Sequence, residues 1–162
     1  MPGFSLLELT IVIGIIAILA LIALPGVPDK LIRDRIVESL KLTDIVKAPV
    51  AATWARVAMM PLDNVGAGLP AADKIVNDYI SSVAVESGAI QVTFGNHANV
   101  AVQGKVLTLR PAVVEDAPVV PVTWVCGNAD AVPRMSAKGL NKTTVPERYL
   151  PLSCRAPVTT GR

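Results

Sequence analysis

Apolar and polar positions change their spacing three times along this chain. From Phe4 to Val27 almost every position is apolar or small, and Glu8 carries the only charged side chain. A helix needs about 20 such residues to cross a hydrocarbon core roughly 30 Å thick, so the run reads as a membrane-spanning helix. A core helix apolar on every side would need protein all round it, which 162 residues hardly supply. A cleaved secretory signal opens with basic residues and closes on small ones. Here Met1-Pro2-Gly3 has no charged side chain, and the run closes on Leu24-Pro25.

From Asp29 to Lys47 the spacing becomes that of an amphipathic helix. Ile32, Ile36 and Leu40 recur every four residues and continue through Thr43 and Val46 as one apolar stripe. Lys30, Arg33, Asp34, Arg35, Glu38, Lys41, Asp44 and Lys47 fall on the other faces, with Asp29 four residues before Arg33. Pro49 interrupts this pattern, and Ala51 to Met60 resumes it. The reading is one long helix with irregularities near Pro25 and Pro49. Continuous from Phe4 to Met60, it would run about 85 Å, so its N-terminal half would protrude from any small domain.

Residues 61–78, with Pro61, Gly66, Gly68 and Pro70, read as a connecting loop, with a short helical turn inside Ala71 to Asp78. From Tyr79 the period becomes two. Tyr79 to Val85 gives a first strand, Glu86-Ser87-Gly88 a turn, and Ile90, Val92 and Phe94 alternating with Gln91 and Thr93 a second strand with one face buried. Val106 to Arg110 gives a third, and Val119 to Cys126 a fourth that begins at an edge or bulge because of Pro118 and Pro121. The expected fold class is α+β, with a long N-terminal helix whose second half covers a four-stranded antiparallel sheet.

Composition and charge add limits. One domain fits beside the apolar helix, and a net charge of +2 is too small to make nucleic acid an obligatory partner. Glu8 calls for a partner, since a charge within lipid costs about 2.5 to 3.5 kcal/mol on insertion scales, and no Lys or Arg lies within two helical turns. If the Gly3-Phe4 bond were cut, the new amine of Phe4 would be mostly cationic, with a reference pKa of about 8, and would suit Glu8 of a neighbouring copy. Cys126 and Cys154 form an isolated pair without CxxC spacing. That favours a disulfide made outside the cytoplasm over a zinc site or redox motif, with two unpaired buried thiols as the alternative. No Walker loop, GxSxG elbow, HExxH or dinucleotide fingerprint occurs, and His97, the single histidine, sits in a polar loop. The expectation is therefore a non-enzyme without catalytic residues, cofactor or metal.

Gly3, Phe4, Glu8 and Pro25 in this apolar frame closely resemble the N-terminus of a type IV prepilin. In that family a membrane peptidase cuts after the glycine and methylates the new N-terminal phenylalanine. The resemblance implies a leader of residues 1–3, cleavage between Gly3 and Phe4 with N-methylation of Phe4, an assembly role for Glu8, and a helix kink at Pro25. Prepilin leaders usually carry Lys or Arg, whereas Met1-Pro2-Gly3 has neither, which leaves a start farther upstream or a leader oriented by other means. Trp124-Val125-Cys126-Gly127 and Tyr149 to Cys154 are similar to the two ends of the disulfide-bounded loop of type IVa pilins, which implies a Cys126–Cys154 bridge.

The expected organisation is leader 1–3, filament-core or membrane helix 4–27, second helical half 28–60, loop 61–78, sheet 79–126, disulfide-bounded loop 126–154 and tail 155–162. The resemblance implies a major pilus subunit, resident in the inner membrane as a precursor and then part of an extracellular filament used in adhesion, twitching motility or DNA uptake. Implied partners are further copies of the chain, the prepilin peptidase, an assembly motor, a platform protein and a secretin. A minor pilin, a pseudopilin of a type II secretion system and a tethered DNA-binding module that never polymerises are the alternatives. Arg134, Lys138, Lys142 and Arg148 lie in a net-positive C-terminal region, a candidate surface for DNA or an anionic host surface. Thr159 and Thr160 are candidate glycosylation positions.

Overall fold

The structure, a computed structural model, describes residues 5–23 and 27–157. Gly3, Phe4, Pro25, Thr159 and Thr160 lie outside that set. Helix α1 spans Leu6–Ala23, and α2 spans Val27–Ser39. A 3₁₀ turn over Leu40–Thr43 then leads directly into α3, Asp44–Val57. Every described side chain from Ser5 to Ala20 is exposed, so this stretch of α1 has no cover from the other described residues. Among the described residues no helix is long and apolar enough to cross a membrane; the 18 residues of α1 rise about 27 Å.

The expected irregularity at Pro49 falls elsewhere. Pro49 sits inside α3, and the helix tightens upstream, at Leu40–Thr43. Two hydroxyls accompany the change. The Ser39 Oγ donates to the Ile36 carbonyl at 2.8 Å and the Thr43 Oγ1 to the Leu40 carbonyl at 2.6 Å, competing for carbonyls that a regular helix gives to backbone donors. The helix also ends earlier than expected, at Val57 rather than Met60. Ala58 takes left-handed geometry with φ 53°, and its N–H caps the Trp54 carbonyl.

Strands β1 (Ile80–Glu86), β2 (Ala89–Phe94), β3 (Val106–Val113) and β4 (Thr123–Cys126) form an antiparallel meander in that order. A two-residue strand β5 (Ser136–Ala137), absent from the sequence reading, pairs with the C-terminal end of β3 beyond the reach of β2. β4 starts only at Thr123, because Pro118 and Pro121 offer no donors to a ladder. β3 runs past Arg110 through Pro111, which keeps its place opposite Trp124 while its carbonyl accepts the N–H of Lys138. The β1–β2 connection is a two-residue turn with positive φ at both Ser87 and Gly88, the geometry that matches strand twist.

One face of the sheet packs on α2 and α3. Ile32, Ile36 and Val46 of the predicted stripe meet Val83, Val92, Phe94 and Leu107 in a single buried cluster that Val50 extends; Leu40, predicted in the stripe, packs against it only partly buried, and Ser39 is buried beside it. The other face departs from expectation. Gln91 and Thr108 point away from that cluster and yet are 5% and 0% exposed. The disulfide-bounded loop lies across them: the Gln91 Nε2 donates to the Leu140 carbonyl, the Thr108 Oγ1 donates to the Gln91 Oε1 at 2.7 Å, and the Lys142 N–H donates to the Thr108 Oγ1 at 2.9 Å. The head is therefore three layers, helix, sheet and loop, and the buried Gln91 and Thr108 side chains between sheet and loop are hydrogen-bonded as burial demands.

Candidate assembly surfaces and the disulfide loop

The first candidate residue within the description is Glu8. It lies in the first turn of α1, exposed and without an ion-pair partner among the described residues. Ser5 precedes the helix, and the Leu9 N–H already bonds to the Ser5 carbonyl at 3.2 Å. A carboxylate there is favoured by the helix dipole, by a few tenths to about 1 kcal/mol. That is too little to offset burial of the charge in an apolar setting, so Glu8 in a packed environment requires a cation from another group.

Cys126 and Cys154 form a disulfide across 28 residues of sequence. Gly127 follows Cys126 at φ +55°, and a Cβ there would lie 2.7 Å from the Cys154 carbonyl oxygen; only glycine allows this approach. The Asn128 N–H then donates to the same carbonyl at 2.9 Å. The loop is tied to the helical layer as well. Arg33 of α2 donates through Nη2 to the Arg148 carbonyl at 2.8 Å, and Arg155 adds a second donor to it at 3.3 Å. The Arg148 guanidinium lies over the Tyr149 ring, 4.7 Å from its centroid.

Two of the four candidate cations are held in ion pairs. The Lys138 Nζ pairs with Glu115, at the end of β3, and the Lys142 Nζ pairs with Glu86, at the end of β1. The Lys138 ammonium holds the Glu115 carboxyl below its ordinary range, with Ser136 assisting. Arg134 stands in a turn with φ 72°. Charges that the sequence segregates into an acidic first part and a basic last part are thus partly interleaved by the fold, because the loop crosses the tips of both hairpins.

Sequence reasoning missed the residue that closes the outer edge of β1. Asn64 is 7% exposed; its Nδ2 donates to the Pro70 and Val83 carbonyls, and its Oδ1 accepts the Val85 N–H at 2.6 Å. One side chain thereby does for β1 what a further strand would do. Thr143 and Thr144 act likewise on β3, their hydroxyls accepting the N–H groups of Thr108 and Val106. The sole signals available were the short polar pairs Asp63-Asn64 and Thr143-Thr144.

A helix apolar on all sides with no cover among the described residues, carried by a head stapled late in sequence, defines a subunit completed by association with other molecules. Comparison with known proteins agrees. Residues 33–155 match the family model described as pilin (bacterial filament). The type IV major pilin protein PilE of Neisseria gonorrhoeae is 34% identical over 160 residues, covering 94% of this chain and 93% of that one. The fimbrial protein EcpC of Eikenella corrodens is 36% identical over 162 residues, covering 97% and 92%. A fimbrial protein of Neisseria meningitidis is 31% identical over 168 residues, covering 98% and 96%. The chain belongs to the pilin family, whose members are structural subunits of homo-oligomeric bacterial filaments rather than enzymes.

Proposed function

We propose that this chain is the major subunit of a type IV pilus, held in the membrane by its N-terminal helix before assembly and by the same helix in the filament core afterwards. The carrying observation is that the similarity to type IV major pilins runs over nearly the whole chain, together with an α1 whose described side chains are exposed from Ser5 to Ala20. The energetics suit the exchange. Lipid and neighbouring helices are both apolar environments, so moving α1 between them exposes little apolar surface to water.

Processing between Gly3 and Phe4 by a prepilin peptidase, with methylation of the new amine, supplies the cation that Glu8 lacks. In the filament the Phe4 amine of one subunit meets Glu8 of a neighbour. A subunit seated out of register leaves that carboxylate unpaired at low dielectric, which disfavours wrong stagger. Pro25 loosens the helix between its buried half and its head. The assembly motor, platform protein and secretin act on the subunit as partners.

Glu8→Ala tests this reading. The variant is expected to reach the membrane fraction at wild-type level and to yield few or no sheared filaments by electron microscopy. Wild-type piliation in the variant would remove the assembly role from Glu8.

A further inference from the structure

A helical filament is held by heterologous contacts, in which two different patches of each copy meet. The head offers a complementary pair at opposite ends of its helical spine. At the α2 end, a cavity of about 270 Å³ opens beside Leu31, with Ile32, Ile36, Phe94 and Val102 as its apolar floor and Arg35 and His97 at its rim. For scale, an apolar cavity of about 150 Å³ takes up benzene, so this one has room for more than a single aliphatic side chain. At the α3 end, the β3–β4 connection, residues 114–122, faces Ala51, Ala52 and Ala55 across an open cleft of about 360 Å³ and holds Val119 in solvent at 89% exposure.

We propose that Val119 of one copy seats in the Ile32–Phe94 cavity of the next, as a contact between heads in the filament. This rests on the chain polymerising as proposed above. Three features argue for it. The connection is pre-organised: Pro118 and Pro121 fix φ on either side of Val119, and the Val120 N–H closes a turn on the Ala117 carbonyl at 3.0 Å, so docking costs little ordering. The cavity is accessible to another copy, because Leu31 on its wall, near the start of α2, is 58% exposed. The spacing is also definite: Ile32 and Ala52 are 20 residues apart along α2 and α3, so copies in contact are offset by roughly 30 Å along the spine.

Shape and apolar burial carry the contact. Asp116 beside the knob has no ion-pair partner among the described residues, while Arg35 at the rim already faces Glu38 at 3.2 Å and lies over the Tyr79 ring, 5.5 Å from its centroid. Electrostatics between knob and rim are correspondingly weak.

Filaments of a His97→Cys, Val119→Cys double variant, treated with a short thiol-specific cross-linker, are expected to give a ladder of dimers, trimers and higher species. Neither single variant should give one. Intact filaments without a ladder, a dimer from Val119→Cys alone, or coupling to a different protein would each overturn the proposal. Independently of the cysteines, Val119→Glu should lower the dissociation temperature of filaments and Val119→Met should leave it unchanged; equal temperatures for the two would count against the contact. Absence of filaments from the unmodified chain would instead remove the polymerisation reading itself.

Discussion

Helix α1 and the α2–α3 helices use opposite solutions to the same problem. In α2 and α3 one stripe is apolar, and the sheet covers it: Val46 and Val50 are fully buried while Asp44 and Lys47 pair on the solvent side at 2.9 Å. In α1 no face is distinguished, and the described side chains through Ala20 are all exposed. An amphipathic helix carries a direction that folding can satisfy within one chain. A helix apolar all round has none, and is satisfied only by surroundings that are themselves apolar. The head is thus folded by its own sequence and α1 by its company, so substitutions should separate into two classes.

The largest effect on the head is expected from its staple. Replacing Cys126 and Cys154 by serine opens a closure spanning 28 residues and should cost roughly 3.5 kcal/mol of head stability on the chain-entropy model, read as a lower denaturant midpoint. A midpoint unchanged from wild type would mean that the polar bonds of the loop to Gln91 and Thr108 suffice without the bridge. Next in size is a matched pair in the two helices. Val50→Ala, at a fully buried position, should cost roughly 2 kcal/mol, whereas Ile13→Ala, exposed on α1, should shift the same midpoint by less than about 0.5 kcal/mol and weaken filaments instead. Equal midpoint losses from both would erase the distinction. The smallest effect is local. Ala58→Gly releases left-handed strain of about 1 to 2 kcal/mol against an unfolded-state cost of about 0.4 to 1 kcal/mol, so a net gain of roughly 0.5 kcal/mol is expected in thermal unfolding; a net loss would place the strain elsewhere.

What was legible in the sequence were features that repeat. The stripe through Ile32, Ile36, Leu40, Thr43 and Val46 and the alternation of Ile90, Val92 and Phe94 recur often enough to declare their period, and all but the partly buried Leu40 are buried where the pattern puts them. The disulfide was readable because two isolated cysteines left few other uses. What escaped were single side chains acting at a distance. Nothing local marks Asn64 as the closure of β1, 19 and 21 residues away, or Thr108 as buried beneath a loop that arrives 34 residues later. Alternation with Gln91 and Thr93 suggested a wet outer face, because polarity in a strand resembles exposure until a second polar layer supplies the hydrogen bonds. Proline was misread in both directions. Pro49 and Pro111 are accommodated inside elements, while Pro118 and Pro121 delay the start of one.

Intact-mass and N-terminal mass spectrometry of material sheared from the cell surface tests the central claim most directly. The account predicts filaments made mainly of this chain, beginning at N-methylated Phe4 and lighter by two hydrogens for the Cys126–Cys154 bridge. A chain confined to membranes and still carrying Gly3 ahead of Phe4 would contradict it.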